Sequence, residues 1–326
     1  MHFSSRRDVA RGLLYVVSMC LVKRSAVVVL LAACGAFAQD SEAGKSGFTW
    51  YEGFGASFNS LGAVTRLDNS VGYNFGSHFS ANVGLPVYFI RPSSSTGSQS
   101  VNGIGNIYGQ LHLTLASDSL NFTSTLTGSA PTGDKKAGLS TGHATVDWSN
   151  GIARTFGPVT PFGEIGFANS VSDTLFFERP YITQGFVAHA QAGARFQLAS
   201  RVSLGASAYG IEPSGQQTVV SRVAGNSAAA GANTTNTNTN VGAPAAASNG
   251  KSNGNVHSNG KQGVFRTVAT TTGPSSIARD YGYSGWLRFT PASSLDLHIG
   301  YTRSAAYGLN TLFLGIGMRL GSVFRR

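Results

Sequence analysis

The sequence predicts an all-β chain closed into an antiparallel transmembrane β-barrel of about twelve strands. Three observations predict it: a composition poor in charge and rich in glycine, polar–apolar alternation with a period of two, and alternating short and long connections. Only 12% of the 326 residues are charged, against roughly 25% in soluble domains. Glycine contributes 42 residues, aromatic and hydroxyl residues are plentiful, and Glu and Lys are scarce. Such a mixture favours strands and turns over helices.

The alternation is clearest from Phe186 to Leu198. Phe186, Ala188, Ala190, Ala192, Ala194, Phe196 and Leu198 share one face, and Val187, His189, Gln191, Gly193, Arg195 and Gln197 share the other. Successive strand side chains point to opposite faces, so every strongly polar group falls on one side. The same reading holds for Leu312 to Leu320, Leu295 to Tyr301, Ile107 to Leu115 and Phe79 to Phe89. Strands of a soluble sandwich alternate too. Here, however, the polar face carries Gly, Ser, Asn, Gln and His, which suits a wet lumen, and lacks the Lys and Glu of a soluble outer face.

Twelve strands follow, at 48–58, 63–75, 78–91, 104–116, 119–129, 141–154, 158–169, 184–199, 201–212, 279–290, 294–303 and 308–320. In the first of them Glu52 falls on the apolar face with Trp50, Phe54, Ala56 and Phe58. An interfacial position or another register would relieve that conflict. Connections after even-numbered strands are short, near Gly76-Ser77, Ser117-Asp118, Phe156-Gly157, Ser200 and Ala292-Ser293. Those from Arg91 to Gly103, Ala130 to Ser140, Ser170 to Thr183 and Glu212 to Arg279 are long. Short periplasmic turns and long external loops are the outer-membrane barrel pattern.

The domain reading is a signal peptide at 1–38, a linker at 39–46, and a barrel at 47–326 with a long external loop at about 213–278. Lys23 and Arg24 precede the apolar run Ala26 to Ala33, and Ala36-Phe37-Ala38 follows as a cleavage site. Met19 is an alternative start. Leu31-Ala32-Ala33-Cys34 before Gly35 offers a second processing reading, lipidation of Cys34. Cleavage after Ala38 instead removes both cysteines and with them any disulfide or thiolate site. The tract Ala224 to Gly260, rich in Asn, Thr, Ala, Ser and Gly, buries too little apolar surface to fold alone. Its flanks, Gln217 to Arg222 and Val264 to Thr272, are expected to extend the ninth and tenth strands as a hairpin.

The net charge of +10 is not a nucleic-acid signal. Residues 1–38 carry five cations against one acid, leaving +6 spread thinly along the rest. A nucleic-acid groove needs clustered cations. No histidine pair has metal-ligand spacing, and no cofactor motif or Ser–His motif is present, so no enzyme is expected. The candidate lumen-lining residues are Arg66, Asp68, His112, Asp147, Glu164, His189, Arg195, Arg288, Asp296, His298 and Arg319. Their mixed signs point to mutual pairing rather than to a selectivity ring of one sign. Trp50, Tyr51, Tyr73, Phe75, Phe89, Trp148, Phe176, Phe177, Tyr281, Tyr283 and Phe289 fall near strand ends, as interfacial girdles do.

Gly103-Ile104-Gly105-Asn106, followed by a strand, Pro131-Thr132-Gly133-Asp134 and Gly138 to Gly142, resembles the outer-membrane proteins of the phenol-degradation meta-pathway family. That family carries Gly-Leu-Gly-Asp and Pro-Thr-Gly-Asp elements, and Asn106 replaces the first Asp here. The resemblance spans residues 70–210. It implies an outer-membrane barrel that transports hydrophobic or aromatic compounds. Read physically, Pro131 to Asp134 is a loop-shaping turn.

The expectation is a passive channel for small, hydrophobic or aromatic solutes in a bacterial outer membrane. Its partners would be membrane lipid, the barrel-assembly machinery and the solute. The alternatives are a surface barrel acting through its external loops and, third, a barrel enzyme.

Overall fold

The computed structural model describes residues 46–59, 62–92, 100–117, 120–171, 181–221 and 270–320. The expected signal peptide 1–38 with Cys34, residues 39–45 of the expected linker, Phe176, Phe177 and the tract Ala224 to Gly260 lie outside the described residues, as does the segment 264–269 of the second flank.

Sixteen strands run among the described residues: β1 Gly47–Asn59, β2 Gly62–Asn74, β3 Phe79–Pro92, β4 Val101–Ile104, β5 Tyr108–Ala116, β6 Asn121–Ser129, β7 Thr145–Ala153, β8 Val159–Ala168, β9 Tyr181–Gln184, β10 Val187–Ala199, β11 Val202–Pro213, β12 Gln216–Ser221, β13 Thr270–Pro274, β14 Asp280–Ala292, β15 Leu295–Ser304 and β16 Leu309–Arg319. Thirteen share one antiparallel sheet. β1 pairs with both β2 and β16, and β2 with β3, so the ladder closes without an edge. β4 and β5 are two halves of one wall position along β3, which makes twelve walls. Closure leaves no wall with a free edge, the condition for crossing a bilayer with strands.

The sheet pleat sorts side chains by parity. Val64, Arg66, Asp68 and Ser70 are buried on the inner face of β2, whereas Val71 is 56% exposed on the outer face. Ile165, Val83, Ile299, Phe167 and Leu314 are likewise exposed on the outside, a belt of large apolar groups that water does not tolerate. This is a membrane-spanning barrel of the bacterial outer-membrane kind. Phe48, Tyr73, Phe75 and Phe79 form a chain of edge and tilted ring contacts at the short-turn rim, an interfacial girdle. Tyr51 departs from the girdle expectation: it lies on the inner face and is buried. Ala192 sits at the middle of β10 on the outer face. Ala192→Arg is expected to cost about 2–4 kcal/mol of unfolding free energy in vesicles, while Gln191→Arg, facing inward beside Ser207, costs far less. Urea titration followed by tryptophan fluorescence reads both.

Four strand expectations are corrected. The fourth wall breaks at Gly105 to Ile107, where three residues bridge a shorter stretch of β3 and Gly105 N–H donates to the Pro86 carbonyl. The sixth starts at Thr145, not 141, because the preceding residues belong to a folded loop. The eighth starts at Val187, since Gly185 at φ 146° separates it from β9. The flank after the ninth wall does pair as a hairpin, β12 with β13, but it does not prolong the barrel. Ser214 and Gly215, at φ 69°, turn the chain, and β12 joins β9 and β13 in a separate three-stranded sheet. Glu52 obeys neither escape. It stands near the middle of β1, in the expected register, on the lipid-facing side.

Candidate functional site: the barrel interior

The inner face gathers the polar residues into separate clusters. On β2, Arg66 and Asp68 form an ion pair, both nearly buried, and the Tyr108 hydroxyl on β5 donates to Asp68 Oδ1 at 3.1 Å. Their i, i+2 spacing puts both on one face of one strand, so the pair is made locally. On β5 and β6, His112 Nδ1 lies 2.9 Å from Thr125 Oγ1, and the Gln110 amide donates to Thr127. Asp147 of β7 and His189 of β10 meet across β8, Nε2 to Oδ1 at 3.0 Å. Glu164 of β8 faces the same region and pairs in register with Gln191 and Gly151.

The densest cluster occupies β14 to β16 toward the short-turn rim. Asp296 is 2% exposed. It accepts from Arg288 Nη2 at 3.2 Å, from Thr290 Oγ1 at 2.6 Å and from Arg319 Nη2 at 3.4 Å. Arg319 also donates to the Ser293 carbonyl at 2.9 Å, which ties the cluster to the turn. Tyr51, from β1, and Arg195, from β10, border it within electrostatic reach of Arg288. His298 lies next to Asp296 on β15 and is buried over Gly315 of β16. Thus the structure pairs Arg66 with Asp68, Asp147 with His189, and Arg288 and Arg319 with Asp296. His112 bonds to threonine, and Glu164, Arg195 and His298 stand beside these groups. Among the described residues no group of three or more His, Cys, Asp or Glu could hold a metal ion.

Sequence reasoning missed the inner aromatics. The Phe162 and Trp286 rings approach to 6.1 Å between centroids, although β10 and β11 separate their strands. The Trp286 ring occupies the space over Gly205 of β11, and the Phe313 ring that over Gly300 of β15: a Cβ at these glycines would stand 2.2 and 2.0 Å from the nearest ring atoms. Only glycine leaves room for an aromatic ring against the neighbouring backbone. The usable signal was an aromatic at polar parity registered beside a glycine on the next strand.

Two structures shape the external mouth. The loop 130–144 folds inward. Gly133 N–H donates to Asn106 Oδ1 at 3.1 Å, Ile107 N–H donates to Thr132 Oγ1 at 2.8 Å, and Thr132 donates to the Gly105 carbonyl at 3.1 Å. Hence the two motif elements, Gly103 to Asn106 and Pro131 to Asp134, dock on each other. Leu139 follows them down, packing over Gly103 into a buried cluster with Val64, Tyr88 and Ile90 of the inner wall. On the other side, Val219 of the small sheet packs with Tyr307 and Leu309. Outside the wall, Val83, Ile107, Tyr108, Gly128, Pro131 and Val146 line an open, mainly apolar groove of about 460 Å³ beside the β4–β5 break.

No protein-family model and no curated protein matches this chain. Solved structures do resemble it. The COG4313 outer membrane channel from Pseudomonas putida F1 aligns with a TM-score of 0.49 at 10% identity, covering 87% of this chain and 98% of that one. The NanC porin aligns at 0.45 and 7% identity, covering 83% and 98%. The Pseudomonas putida toluene transporter TodX aligns at 0.40 and 10% identity, covering 90% and 92%. The barrel assignment stands on the closed hydrogen-bond ladder and the apolar outer belt of this chain.

Proposed function

We propose that this chain is an outer-membrane channel that passes small solutes, aromatic ones included, by diffusion through its lumen without chemistry. The observation that carries the reading is the inner face: hydrogen-bonded charge clusters interleaved with aromatic rings seated on glycine, along a closed twelve-walled ladder. Polar groups keep a lumen wet, and ring faces such as Trp286, Phe162 and Tyr108 attract planar apolar solutes. Twelve walls enclose a bore between the packed eight-stranded barrel and the sixteen-stranded porin. The resemblance to the phenol meta-pathway family, carried by Gly103 to Asn106 and Pro131 to Asp134, supports the choice of hydrophobic or aromatic compounds as solutes. We read the Asp147–His189 pair and the threonine-bonded His112 as hydrogen-bonded lining of the lumen.

Reconstitution into planar bilayers and liposomes tests the reading. Discrete conductance steps in KCl and swelling in small polar solutes are expected. Millimolar benzyl alcohol, occupying the lumen, is expected to lower the open-channel current. Absence of any solute-dependent flux rejects the channel and leaves surface binding through the external loops.

A further inference from the structure

The two halves of the barrel interior differ in what water reaches. On β15, β16, β1, β2 and β3 the inner positions are largely buried. Thr311 is 0% exposed, Thr49 3% and Tyr88 4%, and the hydroxyls of Ser57 and Thr311 bond to each other at 2.6 Å. The anchors of both external structures come to rest on this half. Leu139 packs on Val64 and Ile90, and Val219 packs on Leu309. On β5 and β6, by contrast, every inner position is at least partly exposed. An inner side chain meets water only from the lumen. The accessible space therefore lies off the barrel axis, against β5, β6 and the adjoining β7.

That wall has its own chemistry. The inner positions of β5 and β6 carry no Asp, Glu, Lys or Arg. In register, His112, Thr125 and Ser149 of β7 form one row, with His112 Nδ1 2.9 Å from Thr125 Oγ1. Gln110 and Thr127 form the next row toward the external side, the amide donating at 3.0 Å. Asp147 continues that row and is held by His189 at 3.0 Å. The inner arginines stand elsewhere. Arg66 is paired with Asp68, and Arg288 and Arg319 with Asp296. Glu164 and Arg195 lie farther round, on β8 and β10. Hydroxyls and amides both donate and accept, so they exchange hydrogen bonds with a neutral solute without desolvating a charge. We propose that solute passes off the barrel axis, along a neutral track formed by β5, β6 and Ser149, and that this track takes small uncharged solutes carrying hydroxyl groups. The proposal rests on the channel reading and adds to it the route and the solute class.

Cysteine accessibility in liposomes tests the route. From Gln39 onward the chain carries no cysteine, so a single introduced thiol reports its own surroundings. Thr125→Cys and Ser149→Cys are expected to react with a methanethiosulfonate ammonium reagent at least about ten times faster than Thr49→Cys and Thr311→Cys, as thiol exposure dictates. Mass spectrometry reads the reaction without needing a conducting channel, and heat-modifiable electrophoretic mobility reports that each variant has folded. Once modified, the first two variants are expected to lose bilayer current and the last two to keep theirs. Glycerol tests the solute class. The double variant Thr125→Val, Ser149→Ala is expected to slow liposome swelling in glycerol by about two- to tenfold, the effect of one lost hydrogen bond, while Thr311→Cys leaves it unchanged. Equal reaction rates in the two halves of the interior, or a double variant that passes glycerol as fast as the parent, overturn the proposal. A parent without any flux rejects the channel reading instead, and the thiol rates then still report which half of the interior water reaches.

Discussion

Replacing Asp296 by alanine is expected to lower the unfolding free energy of the barrel by about 3 kcal/mol, the lower end of the cost of removing one partner from a buried ion pair. The acid holds Arg288, Arg319 and Thr290 at once, with 3% of its side chain exposed. Without it two guanidinium groups face each other in a partly desolvated wall, and Arg288 is only 13% exposed. The loss is not larger because Arg319, at 22%, still reaches water and keeps its bond to the Ser293 carbonyl. Asp296→Asn preserves an acceptor for Thr290 and should cost less. The cluster also sets the local field. Arg195 lies near Arg288, so removing the acid leaves three positive groups in one lumen sector. The same Asp296→Ala channel should therefore shift its reversal potential in a KCl gradient toward chloride. Urea unfolding in vesicles reads the stability. A variant as stable as the parent would mean that the arginines find other acceptors.

The second large effect is expected from Leu139→Asp. Leu139 is 3% exposed in a cluster with Val64, Tyr88 and Ile90, and it is the apolar anchor that holds the loop 130–144 against the inner wall. Its removal forfeits about 1.5–3 kcal/mol of apolar burial, before the penalty for a carboxylate in that cluster. The remaining tethers are the short bonds around Thr132 and Gly133. With the anchor gone the docked state should lose at least about tenfold in population. Trypsin should then cleave after Lys135 or Lys136 far faster than in the parent, and single-channel conductance should rise. Thr132→Ala should move both readouts in the same direction by less. If cleavage and conductance stay unchanged, the loop does not depend on this anchor.

Both predictions rest on contacts of different legibility. Arg66 with Asp68 is visible from spacing alone, because two residues apart on a strand means one face. The parity that sorts His189, Gln191 and Arg195 inward and the alanines of β10 outward is also local. So are the five short turns, whose Gly, Ser, Asp and Ala residues mark where each wall reverses. These features together determine the wall count and the two faces of every wall. Asp147 with His189, and Phe162 with Trp286, lie beyond that reach. Each pair bridges at least one intervening wall, so it depends on stagger and on which inner side chains are small enough to let the others pass.

The conflict at Glu52 shows the division most clearly. The alternation placed an acid among Trp50, Phe54 and Phe58, and the structure keeps it there, level with Asn69. The sequence by itself determined a closed, lipid-facing, twelve-walled chain, because a pleat has a period of two and a turn is a few residues long. Only the tertiary structure decided the break at Gly105, the separate sheet of β9, β12 and β13, and the inward dive of Leu139. Those depend on where distant segments meet once the ladder closes, and no local period encodes that.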